Sequence, residues 1–151
     1  MKGVSTAMVN RLMELGNDPV EFISRLKIID NKGMERFFNE PFLEQQIALS
    51  DFLQGHQTIV HCKPRQIGDT TVGCAWNFTY GYWASDPVRT LIVANDHDAT
   101  DSIFRRLKYF HESLPKVMQR PMARSNRKEM EFSDTGVMWR CLTAGGRGHG
   151  R

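Results

Sequence analysis

The strongest constraint in this 151-residue sequence is a pair of short β-branched runs, with a helical stretch between them and another after the second. The runs are Thr58-Ile59-Val60-His61-Cys62 and Thr90-Leu91-Ile92-Val93-Ala94. Each is too short for a core helix and reads as a buried strand. Between them, Lys63 to Thr71 contains Pro64 and Gly68 and reads as a loop, and the segment from about Thr70 to Trp83 reads as a helix. Ser85-Asp86-Pro87 is a turn signal. After the second run, Asp98 can cap a helix with Ile103, Phe104, Leu107 and Phe110 on one face and Pro115 just past its end. Strand, loop, helix, strand, helix predicts an α/β fold: a parallel sheet with helices on both faces. Glu129–Phe132 and Val137–Thr143, joined by Ser133-Asp134-Thr135-Gly136, add a β-hairpin at the end.

Residues 1–55 read as helical. Asp18-Pro19-Val20-Glu21 is a helix start, with Asp18 as N-cap, Pro19 at the first helical position and Glu21 in capping-box spacing. Phe22, Ile23, Leu26 and Ile29 continue the helical spacing until Asn31-Lys32-Gly33 breaks it. A second helix is expected from about Pro41 to Leu53, stopping at Gly55.

With 40% hydrophobic and 25% charged residues the chain has the composition of a packed domain, which excludes wholesale disorder. No apolar run approaches the roughly 20 residues needed to span a bilayer. Met1 to Asn10 has one lysine and no apolar stretch, so no secretory signal is expected. Cys62, Cys74 and Cys141 lack CxxC or CxxH spacing, so buried reduced thiols in a cytosolic protein are expected rather than disulfides or a zinc site. The net charge of +3 is unevenly spread. Residues 1–100 hold nine Lys and Arg against twelve Asp and Glu, and residues 101–151 hold eleven against five. A basic C-terminal third can attract a polyanion or be an ordinary solvated surface.

The loop between the first strand and its helix is where phosphate chemistry would sit. A helix N-terminus presents unpaired N–H groups and partial positive charge to an anion. Gly68 allows close backbone approach, Thr70 offers a hydroxyl for Mg²⁺, and Lys63 and Arg65 add positive charge. The standard phosphate loop, GxxxxGK[ST], is only half met. Gly68 and Thr70 match, but Lys63 stands at the first glycine position and Asp69 at the lysine position. The bland alternative is an ordinary strand-to-helix turn with Asp69 capping the helix.

Lys63-Pro64-Arg65-Gln66-Ile67-Gly68-Asp69-Thr70-Thr71 resembles the deviant Walker A loop of bacteriophage terminase large subunits, the DNA-packaging ATPases. In that family the loop often reads K-x-R-Q-x-G-x-[ST]-[ST]. Pro41 to Gln46 lies where the family has a proline–glutamine segment that contacts adenine. Leu91 to Asn95 and the helix ending in Leu114-Pro115 are similar to the family's next strand and helix. Phe132, Gly136, Leu142 to Gly145 and Arg147-Gly148 are similar to the stretch before its Walker B strand. The likeness runs in order over about residues 36–151.

The resemblance implies a partial P-loop NTPase-like three-layer core over residues 56–151, preceded by a helical segment, residues 1–55, with the adenine-contacting region. It implies ATP and Mg²⁺ as cofactors. Lys63 would contact the β- and γ-phosphates, Arg65 would stabilise the γ-phosphate as the catalytic arginine, and Gln66 and Asp69 would sit in the nucleotide-binding loop. Gly68 would admit the phosphates, Thr70 would hold Mg²⁺ through the nucleotide, Thr71 would support the loop, and Gln45 or Gln46 would contact adenine. Asp69 is a departure, because a carboxylate beside a triphosphate is repulsive unless it faces solvent or caps the helix. Implied partners are double-stranded viral DNA, the portal protein, the small terminase subunit and further copies in a homo-oligomeric ring, in the host cell cytoplasm and away from membranes. The family's Walker B strand, coupling motif and nuclease domain have no counterpart up to Arg151. A fragment with weak nucleotide binding and negligible hydrolysis is therefore expected. Other P-loop DNA translocases or helicase-like ATPases, and a non-catalytic module that binds DNA or a partner, are the alternatives.

Other residues have plainer readings. Trp76, Tyr80 and Trp83 read as a packing face rather than a base-stacking platform. Asp96, His97 and Asp98 read as a helix cap rather than a metal cluster. Arg105, Arg106 and Lys108 read as the solvated side of a helix. His61 and His149 have no paired ligand. Arg147 and Arg151, in the glycine-rich tail, can touch phosphate or simply end a flexible segment.

Overall fold

The computed structural model describes residues 14–30, 32–38, 50, 54, 58–60, 62 and 68–144. Residues 14–17 are helical. Asp18 then caps α1 (Pro19–Ser24), its carboxylate accepting the Glu21 N–H at 3.0 Å, with Pro19 opening the helix. The expected continuation to Ile29 does not occur. The chain turns at Arg25 and enters β1 (Lys27–Ile29), which pairs antiparallel with β2 (Glu35–Phe37). The turn chemistry wins over the apolar spacing. The Asp30 carboxylate accepts the N–H groups of Lys32 and Met34, both at 2.9 Å, and Gly33 takes a φ of +77° that favours glycine. The expected second helix, Pro41 to Leu53, lies outside the described residues apart from Ser50, which is helical.

From Gly68 onward the described chain is continuous. α2 (Asp69–Trp83) is followed by β3 (Arg89–Ala94), α3 (His97–Ser113) and a 3₁₀ turn at Lys116–Met118. Three strands follow: β4 (Met122–Ser125), β5 (Glu129–Phe132) and β6 (Met138–Thr143). β5 and β6 form the expected hairpin, with Gly136 at φ +69° in its turn. β4 was not legible in the sequence: Met122-Ala123-Arg124-Ser125 is short, has no β-branched residue and is exposed over most of its length.

The four strands form one sheet in the order β3-β6-β5-β4. The expected parallel sheet is instead mixed: β3 and β6 run parallel, and the other two pairs are antiparallel. The expected first strand is also absent from its described positions. Thr58, Ile59, Val60 and Cys62 belong to no strand, Val60 is 88% exposed, and Cys62 is exposed rather than buried. A β-branched run becomes a strand only where a neighbouring strand takes its backbone groups, and among the described residues β3 pairs with β6 alone.

The core lies between α2, α3 and one face of the sheet. Trp139 is fully buried, stacks against Phe78 at 5.9 Å, and donates its indole N–H to the Asn77 carbonyl at 3.3 Å. Phe78 also meets Phe110 of α3 and Phe22 of α1, so α2 is wrapped by apolar neighbours on several sides. That explains buried residues around most of its circumference, as expected of a central helix. Arg120 fixes the far end, donating to Asp134 at 2.9 Å and to the Tyr82 carbonyl at 2.5 Å. The other face of the sheet is open among the described residues. Leu91 and Val93 of β3 are 58% and 57% exposed, and the register sets Val93 beside half-exposed Leu142. Among the described residues, helices cover one face of the sheet.

Candidate functional site

α2 begins where the loop reading places a phosphate-facing helix. Gly68 is its N-cap, in the left-handed region at φ +84°, which a residue with a β-carbon rarely adopts. Its carbonyl accepts the N–H groups of Thr71 at 2.8 Å and Val72 at 3.1 Å. Asp69 is the first helical residue, not the cap, so the capping role considered for it passes to Gly68. At that position its carboxylate complements the positive end of the helix dipole. Thr70 is exposed and Thr71 half-buried. The first turn thus combines backbone donors and two hydroxyls at the positive end of a fifteen-residue helix, a donor set that fits an anion, with Asp69 opposing. Lys63, Arg65, Gln66, Gln45 and Gln46 lie outside the described residues, as do His61, His149, Arg147 and Arg151.

The start of α3 resolves the acidic cluster. Asp96, rather than Asp98, caps the helix, accepting the Ala99 N–H at 2.7 Å. Thr143 joins this corner, its hydroxyl 2.9 Å from that of Thr100 and 3.2 Å from Nδ1 of His97. Among the described residues no group of three or more His, Cys, Asp or Glu is placed to hold a metal ion. The aromatic triplet on α2 divides. Trp76 and Trp83 pack half-buried against the core, whereas Tyr80 is 62% exposed, contrary to the expected shared packing face.

Four arginines of the basic third pair with carboxylates of the fold. Arg120 pairs with Asp134, Arg127 with Asp101, Arg140 with Glu129, and Arg124 with Glu129 and Glu131. Lys108 lies over the Phe104 ring at 5.4 Å. Arg105 and Arg106 have no carboxylate partner among the described residues. Asp101, one helical turn before Arg105, is taken by Arg127. Both arginines line a cavity of about 520 Å³ between α3, β1 and the first turn of α2, whose other walls include Thr71, Ser102, Ile28 and Ile29. Sequence reading assigned these arginines to a solvated face; an arginine pair whose spaced carboxylate is engaged elsewhere is invisible without the fold.

One helical turn after Arg105 and also lining the cavity, Tyr109 donates its hydroxyl to Glu35, which also accepts from Lys27 at 2.6 Å. The lysine and tyrosine bonds hold the Glu35 carboxyl below the usual carboxylate range, while the Tyr109 phenol is pushed up to about 12, by desolvation first and the Glu35 bond second. Comparison with models of known protein families and with curated proteins finds no match for this chain. No helix among the described residues is long and apolar enough to cross a membrane.

Proposed function

We propose that this chain is the N-terminal part of a DNA-packaging ATPase of the terminase large-subunit kind, with a P-loop-like core that binds ATP through the loop at residues 63–71. One observation carries the reading. The only glycine of that loop, Gly68, is in the left-handed conformation and turns directly into α2 ahead of Thr70 and Thr71, as a K-x-R-Q-x-G-x-T-T phosphate loop requires. In this reading ATP would supply the γ-phosphoryl group whose transfer to water drives the full motor, and Mg²⁺ would neutralise charge on it. Lys63 neutralises charge on the β- and γ-phosphates, Arg65 clamps the γ-phosphate bidentately, Gln66 lines the loop, and Thr70 ligates the ion. Gln45 or Gln46 reads the adenine. Viral DNA, the portal, the small subunit and a ring of copies in the host cytoplasm complete the proposal.

A thermal unfolding series with and without ATP and Mg²⁺ tests it. Ligand at a hundredfold excess over its Kd should raise the midpoint by on the order of 5–10 °C. Lys63→Ala should remove the shift, and Thr70→Ala should remove only the part of it that Mg²⁺ adds. An unchanged wild-type midpoint would sink the reading. A second reading, a non-catalytic module that binds DNA or a protein partner, is favoured by one observation: Thr58 to Val60 do not form the strand that a phosphate loop ordinarily follows. No nucleotide shift, together with DNA binding that weakens steeply with salt, would select it.

A further inference from the structure

The cavity beside the first turn of α2 carries an inference that rests on the nucleotide reading and deepens it. Its volume, about 520 Å³, falls in the range of small-molecule sites. One wall is apolar, made by Ile28 and Ile29 of β1 with Phe110 of α3. The lining also includes Arg105, Arg106 and the hydroxyl-bearing Ser102 of α3, and Thr71 of α2. Glu112 is the only carboxylate among the described lining residues, so the balance of full charges is positive. Four of the other arginines of this half of the chain pair with Asp or Glu, whereas these two line a concavity without a carboxylate partner among the described residues. Thr71 belongs both to this cavity and to the candidate phosphate loop, so the two adjoin.

We infer that Arg105 and Arg106 are phosphate contacts: the cavity receives a phosphate-bearing nucleotide, its anionic end on the two guanidiniums and its organic part against Ile28, Ile29 and Phe110. Guanidiniums suit this role because their fixed fork of donors matches phosphate oxygens. A phosphate is favoured over a carboxylate ligand by its larger charge, which offsets Glu112.

Calorimetric titration of the wild-type chain and of Arg105→Gln, Arg106→Gln and the double variant, with ATP, inorganic phosphate and adenosine as probes, tests this. Arg124→Gln, on edge strand β4 well outside the cavity lining, is the charge-matched control. Unfolding midpoints should be unchanged in the cavity variants, since neither arginine has a carboxylate partner among the described residues. Losing a charge-assisted bond should weaken ATP by roughly tenfold or more per arginine, with the control at wild-type affinity. Adenosine binding should be unaffected by either change. ATP affinity equal to wild type in the double variant, while Lys63→Ala abolishes binding, would overturn the inference and leave the loop reading standing. Arginine-dependent binding of inorganic phosphate without any ATP binding would keep the anion site and end the nucleotide reading. No binding of ATP or phosphate by the wild type would overturn both.

Discussion

A β-carbon at position 81 would lie 2.3 Å from Cζ2 of Trp139 and 3.0 Å from Cγ1 of Val137. In an exposed helix, Gly→Ala gains up to about 1 kcal/mol in propensity. Here Trp139 is fully buried and cannot swing aside, so overpacking dominates. Gly81→Ala should lose about 1–3 kcal/mol in urea unfolding; a stabilised variant would show that the indole is free to move. The thiols differ equally by surroundings. Burial pushes Cys74 up to about 11 and Cys141 to about 12, whereas Cys62 is exposed. At pH 8, a disulfide-exchange reagent should therefore titrate one fast thiol in the native chain and three in denaturant. Three fast thiols without denaturant would contradict the packing of α2 on β6. The sequence argued for reduced buried thiols at all three positions. It had Cys74 and Cys141 right because each sits in an apolar periodic segment, and Cys62 wrong because its assigned strand does not form.

At the scale of elements, caps and turns decide what periodicity leaves ambiguous. Both Asp96 and Asp98 are N-cap residue types, and a two-residue choice between them cannot be read from spacing. The structure gives the cap to Asp96, so Asp96→Ala should cost about 1 kcal/mol and Asp98→Ala under about 0.5 kcal/mol. Equal losses would mean that the helix start shifts. At the other end of α3, His111 is buried with Nε2 3.0 Å from the Arg120 carbonyl. Burial lowers its pKa below the ordinary 6.5, outweighing the carbonyl bond, which raises it. The neutral ring is then the folded form, and its contribution is complete above pH 6.5. As pH falls through 6.5 the unfolded chain takes the proton first, and stability is lost down to the lower folded pKa. The urea midpoint should drop between pH 7.5 and 5.5, and His111→Gln should flatten that drop. The α2, β3, α3 and β5–β6 elements were legible because each has a sustained period or a marked turn. The β1–β2 hairpin was not, because Leu26 and Ile29 keep helical spacing from Phe22 while the Asp30–Gly33 turn sets the backbone.

For the whole molecule, the arrangement of layers is what sequence could not supply. Alternation along β3 is weak, since Thr90-Leu91-Ile92-Val93-Ala94 is apolar on both parities, the pattern of a strand covered on both faces. The described fold covers one face only. Ile92 packs against the core, whereas Leu91 and Val93 stand out from the opposite face beside Leu142. These two accounts of the molecule differ in a measurable energy. If the open face is solvated, Leu91→Thr and Val93→Thr remove apolar surface that is already wet, and each should change stability by under about 0.5 kcal/mol. If a layer covers it, each substitution buries a hydroxyl without a partner and loses methyl packing, a penalty on the order of 1–3 kcal/mol. Trp139→Ala on the covered face is the internal standard and should cost about 3–5 kcal/mol. The expected result for 91 and 93 is the small change. Losses above about 1 kcal/mol at both positions would show that the sheet is covered on its second face, as in the three-layer arrangement that the family resemblance implies.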